Sequence, residues 1–285
     1  MVSMKRVKRG VLCLVALLAT AGSVLGQNAV ASGKALTYDV VSIKPHDPSE
    51  SNTRFQMTPG GYIATNAWVK MLIQNAYDLK MPDQIFGLPG AMGDARFDVE
   101  AKMDAETAAA LKAMNNDDRA AQRRLMMQAM LADRFHLKVH HESRVMPLYE
   151  LVVAKNGFKL KESDPNNTYA NGFKGPNGSG AGMTSFRMNG KAVTLTMQGT
   201  ELSSLTNILS QQLHRQVADK TGLKGKYDAT LEWTPEEASM QGTAGDDAKP
   251  GIFTALQEQI GLKLESTKGS VDVIVVDGIE MPAAN

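Results

Sequence analysis

Gly222-Leu223-Lys224-Gly225-Lys226-Tyr227-Asp228 joins a glycine-bounded turn to the start of a strand, and this segment has a counterpart earlier in the chain. Its two parts recur as Gly87-Leu88-Pro89-Gly90 and Arg96-Phe97-Asp98. Two further pairs follow the same order: Phe55-Gln56-Met57 with Phe186-Arg187-Met188, and residues 135–139 with 260–264. The copies lie roughly 130 residues apart, far beyond the 20–50 residues of solenoid repeats. The sequence therefore predicts two related subdomains in tandem.

Each predicted subdomain has the element order ββαβαββ. A hairpin comes first, because Asn189-Gly190 favours a type I′ turn and Pro59-Gly60-Gly61 takes its place in the first copy. An amphipathic helix follows, with Asn66 and Thr200 as predicted N-caps. Strands outnumber helices and hairpins pair antiparallel strands, so the predicted fold class is α+β with mostly antiparallel sheets.

The second half of each copy is predicted from the same kinds of pattern. Polar spacers at 101–116 and 234–251 precede second helices at 118–135 and 252–260, and Gly261 suits the position just after a helix. A closing pair of strands then ends each copy, at 137–141 with 148–154 and at 262–266 with 271–276.

Composition shifts set the predicted domain boundaries. The first subdomain covers 36–163, a Gly-rich linker covers 164–185, and the second subdomain covers 186–282. The linker contains few large apolar residues, which favours a mobile segment. A long loop packed on one of the two copies is the alternative.

The first 26 residues have the layout of a secretory signal peptide. Four basic residues precede a run of small and apolar residues, and small residues stand before a cut at Gln27. A second cut near Ala31 and an uncleaved anchor are the alternatives. We therefore expect an exported protein, either periplasmic or secreted.

Composition excludes several classes of protein. The 285 residues carry 31 Lys and Arg against 30 Asp and Glu, and loss of residues 1–26 changes the net charge from +1 to −3. This charge excludes a basic nucleic-acid-binding protein. The single cysteine, Cys13, is lost with the signal peptide, which excludes a disulfide scaffold and thiol chemistry. No later apolar run is long enough to span a membrane.

Histidines cluster in one predicted strand. His136 and His140 share a face beside Glu142, and His141 points away. Two histidines lack the third protein ligand of a typical zinc site, so the pattern favours a polar strand face, with a weak metal or pH-sensitive surface as the alternative.

Other candidates for chemistry have simpler structural interpretations. Asp98 with Glu100, and Asp228 with Glu232, are carboxylate pairs of the kind used in acid–base catalysis. A repeated structural position explains the aromatic–Asp pairs equally well. The pair Arg123-Arg124 is interpreted as a solvated helix face. No nucleophile elbow or Walker motif stands in a suitable context, and no catalytic, cofactor or metal residue is assigned.

A set of motifs resembles one known family. They are the segment 222–228, Tyr38-Asp39-Val40-Val41-Ser42-Ile43-Lys44-Pro45, Leu131-Ala132-Asp133-Arg134-Phe135, and residues 253–265. Together they resemble the soil-associated bacterial protein family, an exported domain of unknown function, over about 38–282. This resemblance implies export and brings no catalytic residues. Some relatives are fused to membrane sensor metallopeptidases, which implies a role in ligand sensing.

A weaker resemblance points to protein contacts. Residues 193–233 and 252–276 are similar to the short N-terminal domain of secretins and TonB-dependent receptors, which implies an α+β module of the cell envelope. The leading hypothesis is therefore a non-catalytic binding or assembly module that holds an envelope protein or extracellular ligand, at a sheet edge or in a groove between the copies. An extracellular hydrolase is the alternative, and it predicts that Asp98, His136, His140, Glu142 or Asp228 converge in a pocket.

Overall fold

The computed structural model of the chain describes residues 36–175, 178–189, 192–235 and 249–283. The predicted signal peptide, Gly190 of the predicted hairpin turn and most of the second spacer lie outside these residues. The strands, in chain order, are β1 (Val40–Pro45), β2 (Arg54–Thr58), β3 (Gly61–Trp68), β4 (Ile85–Phe86), β5 (Arg96–Lys102), β6 (Lys138–Val153), β7 (Lys161–Glu162), β8 (Met183–Asn189), β9 (Ala192–Thr200), β10 (Val217–Asp219), β11 (Tyr227–Trp233) and β12 (Leu262–Gly278).

Helices flank these strands. In chain order they are α1 (Val69–Ala76), α2 (Gly90–Gly93), α3 (Ala105–Ala113), α4 (Asn116–Arg134), α5 (Leu202–Leu213) and α6 (Ile252–Ala255), with a 3₁₀ turn at Pro82–Gln84 and a π-helical segment, Leu256–Ile260, after α6. With three mostly antiparallel sheets, the predicted α+β class is confirmed. No helix within the described ranges has the length and apolar character to cross a membrane.

Two of the sheets have the same order of elements. The first sheet has the order β1-β5-β3-β2, and the second has the order β7-β11-β9-β8. In each, a hairpin leads into a helix, α1 or α5, and the second strand after that helix, β5 or β11, pairs with the second strand of the hairpin.

The third sheet joins the two halves of the sequence through two long strands. β6 and β12 pair antiparallel along their whole length, from Leu262 opposite Val153 to Gly278 opposite Lys138. The short strands are exchanged, because β4 pairs with β12 and β10 pairs with β6, both in parallel. Each half of the sequence therefore supplies a short strand to the long strand of the other half.

The predicted closing strand pairs are wrong, since each forms one continuous strand. Pro147 lies within β6, where β10 covers β6 only from Tyr149 to Leu151, and a proline is tolerated where a strand lacks a neighbour on one side. Gly269 lies within β12, where a Cβ would come within 2.9 Å of Leu148 Cδ2 on the neighbouring strand.

The long strands carry residues of each half into the core of the other. Leu151 and Leu160 are buried in the cluster built mainly from 193–264, and Val276 is buried in the cluster built mainly from 38–137. A small third cluster of Leu148, Val271 and Val273 lies between them along the ribbon.

The Gly-rich segment between the halves contacts the second sheet. The Gln198 side chain accepts a hydrogen bond from Phe173 N–H at 2.7 Å and donates to the Gly180 carbonyl at 2.7 Å. The Tyr169 hydroxyl donates to Asp228 Oδ1 at 2.7 Å. These contacts correspond to the packed-loop alternative.

Two local predictions need correction. The first spacer contains α3, capped by Asp104, whose carboxylate accepts a hydrogen bond from Thr107 N–H at 2.7 Å. The N-cap positions of α1 and α5 are held by Trp68 and Glu201 rather than Asn66 and Thr200. Asn66 has a different role, because its φ of 54° places it in a bulge of β3.

Candidate functional site

The two aspartates of the repeated aromatic–Asp pairs hold matching bulges in the sheets. The register of β3 against β5 slips so that Thr65 and Asn66 lie opposite Asp98. Asp98 Oδ1 accepts a hydrogen bond from Asn66 N–H at 2.8 Å. A carboxylate placed in this way satisfies a backbone group that the bulge leaves without a ladder partner.

The second half repeats this arrangement. Gln198 and Gly199 lie opposite Asp228, and Asp228 Oδ1 accepts a hydrogen bond from Gly199 N–H at 2.8 Å. Gly199 has a φ of 58°, close to the 54° of Asn66. Asp98 and Asp228 thus have structural positions, as the simpler interpretation predicts.

Each aspartate has one further partner, and this partner differs between the halves. In the first half it is buried His46, whose Nδ1–H donates to Asp98 Oδ1 at 2.8 Å while Nε2 lies 2.7 Å from the Glu50 carbonyl oxygen. The bond to Glu50 raises the pKa of His46, burial opposes this, and Asp98 raises the pKa further. In the second half the partner is Tyr169, whose pKa is raised mainly by burial and then by Asp228.

The other carboxylates of the predicted pairs form surface ion pairs. Glu100 lies 2.9 Å from Lys102 Nζ, and Glu232 lies 3.0 Å from Lys249 Nζ. Asp98 and Asp228 instead bond to backbone N–H groups of the bulges. The two carboxylates of each predicted pair thus have separate partners and do not form an acid–base site.

The histidines lie apart. Exposed His140 on β6 lies between Asp277, 2.9 Å from Nδ1, and Glu142, 3.1 Å from Nε2. Asp277 and then Glu142 raise the pKa of His140, and His140 with Arg144 lowers the pKa of Glu142.

The other two histidines have separate surroundings. His136 pairs with Glu280 at 2.9 Å, and His141 meets the edge of the Tyr77 ring. Within the ranges that the structure describes, no three His, Cys, Asp or Glu side chains are grouped as metal ligands.

A cleft lined by arginines and amides lies between α4 and α5, and we call it the arginine cleft. Its volume is about 570 Å³, within the range of roughly 300–1,000 Å³ found for ligand sites. It is lined by Phe55, Gln56, Met57, Tyr62, Gln74, Asn75, Asp78, Leu79, Lys80, Asn116, Arg119, Ala120, Arg123, Arg124, Met127, Asn207 and Gln211. Sequence reasoning did not single out this site.

Helix α4 positions the basic side chains of the arginine cleft. Arg119 is fixed by Nε–H donating to the Leu111 carbonyl at 2.9 Å and by an Nη2–H donating to the Met114 carbonyl at 2.7 Å. Arg123 donates to the Thr58 carbonyl at 3.1 Å, and Arg124 is half-buried. The expectation that Arg123 and Arg124 form a solvated helix face is therefore wrong.

Positive charge dominates the lining. The lining contains four cationic side chains, three arginines and Lys80, and one carboxylate, that of Asp78. Asp78 lies 3.3 Å from Lys80 Nζ. A concave site with this excess of positive charge attracts anions, and arginine recognises carboxylate and phosphate groups through paired N–H donors.

Buried donors without partners lie at the wall of the arginine cleft. Arg123 Nε and the hydroxyls of Tyr62 and Tyr38 have no hydrogen-bond partner among the described residues. Tyr62 is 2% exposed and lines the cleft. Tyr38 lies behind α4, near enough to Arg123 for the guanidinium to affect its pKa. A buried unpaired donor costs about 1–3 kcal/mol, so this region holds polar groups that the described residues leave unsatisfied.

The tyrosines of this cluster remain protonated donors. Burial raises the pKa of Tyr38 to about 12, against an opposing effect of Arg123. Burial also raises the pKa of Tyr62, and Asn75 lies near enough to oppose this shift without the geometry of a hydrogen bond. The cluster therefore offers donors and positive charge, and it has no group suited to act as a general base.

The residues proposed for a hydrolase do not reach this site. None of Asp98, His136, His140, Glu142 and Asp228 lines the arginine cleft. The lining of the arginine cleft comes from β2, β3, α1, α4 and α5, and Asn207 and Gln211 of α5 lie more than 70 residues from α4 in sequence, so no local motif could reveal it.

Comparison with known proteins gives one family. Neither the curated proteins nor the solved structures contain a match to the chain. One family does match, over residues 70–279, which is most of the chain and includes the arginine-bearing helix α4, the exchanged strands and both aspartates. The chain therefore belongs to the DUF3738 family of proteins of unknown function.

Proposed function

We propose that the chain is a non-catalytic binding module and that the arginine cleft is its site for an anionic ligand. One observation carries this proposal: three arginines and Lys80 line a cavity of about 570 Å³, and the one carboxylate of that lining, Asp78, pairs with Lys80. A ligand carboxylate or phosphate would balance this charge and accept hydrogen bonds from guanidinium groups.

Binding is favoured over hydrolysis by the positions of the acid–base candidates. Asp98 and Asp228 hold bulges, and His140 lies exposed between two carboxylates. The one carboxylate among the cleft residues, Asp78, pairs with Lys80. A hydrolytic site needs a base within reach of the substrate, and the acid–base candidates of the sequence lie outside the arginine cleft.

The wider setting of this function is proposed from the sequence. An N-terminal segment with signal-peptide character supports export to the periplasm or medium. The quoted motifs support kinship with the soil-associated family and with the short N-terminal domain of secretins. Ligand sensing, as in relatives fused to sensor metallopeptidases, is a form of the same function. The matching strand orders of the first two sheets support descent by internal duplication.

A thermal-shift series tests the binding proposal. The full chain is titrated with succinate and with inorganic phosphate at constant ionic strength, with chloride as the reference. Binding to the folded state alone raises the unfolding temperature, and the stabilisation is about 2.7 kcal/mol at 100 times the dissociation constant. We expect this rise in the native chain and a weaker rise in Arg124→Gln. The control is Arg187→Gln, because Arg187 lies on β8 over the Phe173 ring, and it should show the same rise as the native chain. No rise with either anion would overturn the proposal.

A further inference from the structure

We propose that the natural ligand of the arginine cleft is an extended acidic peptide that adds as a strand to the free edge of β2. This inference rests on the proposed function and names the chemical class of its ligand. The carboxylate of the peptide would lie beside Arg123 and Arg124, and its backbone would continue the first sheet.

The arginine cleft is continuous with a sheet edge. Phe55, Gln56 and Met57 of β2 line the cavity. β2 is the last strand of the first sheet, and β3 is its one strand neighbour among the described residues. Alternate residues of such a strand direct backbone N–H and C=O groups away from the sheet, where another strand can pair with them.

This edge has little protection against pairing. Proteins usually block free edges with lysines, prolines or bulges. β1, on the opposite edge, ends in Lys44-Pro45, whereas β2 has no proline or lysine and pairs with β3 without a register shift; its one charged residue, Arg54, stands at the end away from Thr58. Met57 is 42% exposed. The unprotected edge is thus the one beside the arginines.

The positive charge lies at one end of this edge. Arg123 donates a hydrogen bond to the carbonyl of Thr58, the last residue of β2. Tyr62, which lies opposite Met57 in the register, lines the arginine cleft beside the same end. An acidic group of an added peptide should therefore lie near Thr58, with the rest of the peptide running toward Arg54.

The amides of the arginine cleft fit a polypeptide. Five side-chain amides line the cleft, and each offers a donor and an acceptor, as peptide groups require. They are those of Gln56, Gln74, Asn75, Asn207 and Gln211. A small anion would use the arginines but leave the edge of β2 unpaired. A sugar would use the amides but could not continue a strand ladder. A peptide is the ligand that uses all three features.

Calorimetric titration with four probes tests this inference on the full chain. The first probe is an acetylated pentapeptide of alternating threonine and valine that ends in glutamate. The second is its C-terminal amide, and the third has glutamine in place of the glutamate. The fourth is the first peptide N-methylated at alternate peptide groups, made in two versions, one for each register. Succinate serves as the small-anion reference. Comparing the second and third probes shows whether a terminal or a side-chain carboxylate is recognised.

We expect the first peptide to bind at least about ten-fold more tightly than succinate and than the N-methylated peptide of one register, because N-methylation removes ladder donors. Backbone amide exchange in β2 should slow on binding of the peptide and not of succinate. Arg124→Gln should weaken peptide binding, and Arg187→Gln should not.

Two other results would contradict the inference in distinguishable ways. If succinate and all the peptides bind equally and β2 exchange does not change, the peptide inference is wrong and the anion-binding proposal stands. If neither succinate, phosphate nor any peptide binds, both are wrong.

Discussion

The buried imidazole of His46 lies with Nδ1 2.8 Å from Oδ1 of Asp98, and its other nitrogen lies 2.7 Å from a backbone carbonyl. Both neighbours are acceptors, so the ring is best satisfied as an imidazolium that donates from both nitrogens. The equivalent aspartate of the second half, Asp228, has the Tyr169 hydroxyl instead. The two halves thus share an aspartate that bonds to a bulge N–H, but only in the first half does that aspartate contact a group that titrates near neutral pH.

The first prediction concerns pH. The pKa of His46 is raised above its ordinary value of 6.5. The folded state therefore binds the proton more tightly than the unfolded state, so the stabilisation is complete below about pH 6.5 and is lost as pH rises through the higher folded pKa. Urea unfolding from pH 5 to 9 should show a decline in stability that His46→Gln lacks.

His140 also has a raised pKa and contributes a decline of the same sign, so the comparison is made with His140→Gln and with the double variant. A His46 ring that titrates below pH 6.5 in NMR spectra of the native chain would contradict this account.

The second prediction compares the two aspartates. Asp98→Ala and Asp228→Ala each leave a bulge N–H without its acceptor, and loss of a hydrogen bond to a charged group costs about 1.5–3 kcal/mol. Both variants should lose stability in urea unfolding. Between pH 6 and 8, only Asp98→Ala should change the slope of stability against pH, because only Asp98 contacts a histidine. Equal slopes in the two variants would argue against the assigned partners.

The third prediction concerns the ends of two helices. Gly261 has a φ of 70°, and His136, at the matching place after α4, has a φ of 48°. A left-handed backbone costs a non-glycine residue about 1–2 kcal/mol. His136→Gly should therefore raise the free energy of unfolding by up to about 1 kcal/mol. The variant also loses the exposed pair with Glu280, which contributes little to stability.

Gly261→Ala should have the opposite effect, and a larger one. A Cβ at this position would meet backbone atoms of Gly157 and Phe158, which cannot move as a flexible side chain can. Thermal unfolding of the two variants measures both effects, and a neutral Gly261→Ala would contradict the close approach of these backbones.

The fourth prediction tests the continuity of β6. Leu151 lies in the C-terminal part of this strand and is fully buried in the second cluster. Leu151→Ala should cost about 2–5 kcal/mol, as is usual for a buried leucine. Val145, on the same strand and 75% exposed, provides the matched control, because Val145→Ala should change stability by less than about 0.5 kcal/mol. Similar losses in both variants would contradict the observed burial.

How much the sequence could predict depended on the range of the interactions. Helix α4 was predicted as 118–135 and observed as Asn116–Arg134, and the first hairpin was also predicted correctly, because periodicity and turn residues are local signals. The left-handed conformation of Gly261 was also predicted correctly, because a glycine directly after a helix is a local signal.

Predictions failed where distant segments decide the conformation. Each predicted closing pair divides one continuous strand, β6 or β12, and the true partner of each strand is more than 100 residues away. Asn66 resembled a helix cap because a bulge residue and a cap residue both precede the helix. Arg123 resembled a solvated residue because its acceptor, the Thr58 carbonyl, lies 65 residues away in sequence.

The most direct test of the proposed binding function is to follow the arginine Nε–H signals by NMR while succinate is added to the full chain at constant ionic strength. Arg123 lines the arginine cleft and its Nε–H is buried, so a carboxylate bound beside its guanidinium should shift the Nε–H signal in a saturable manner. The signal of Arg187 should not move. An Arg123 signal that stays fixed, or that moves no more than that of Arg187, would contradict the account.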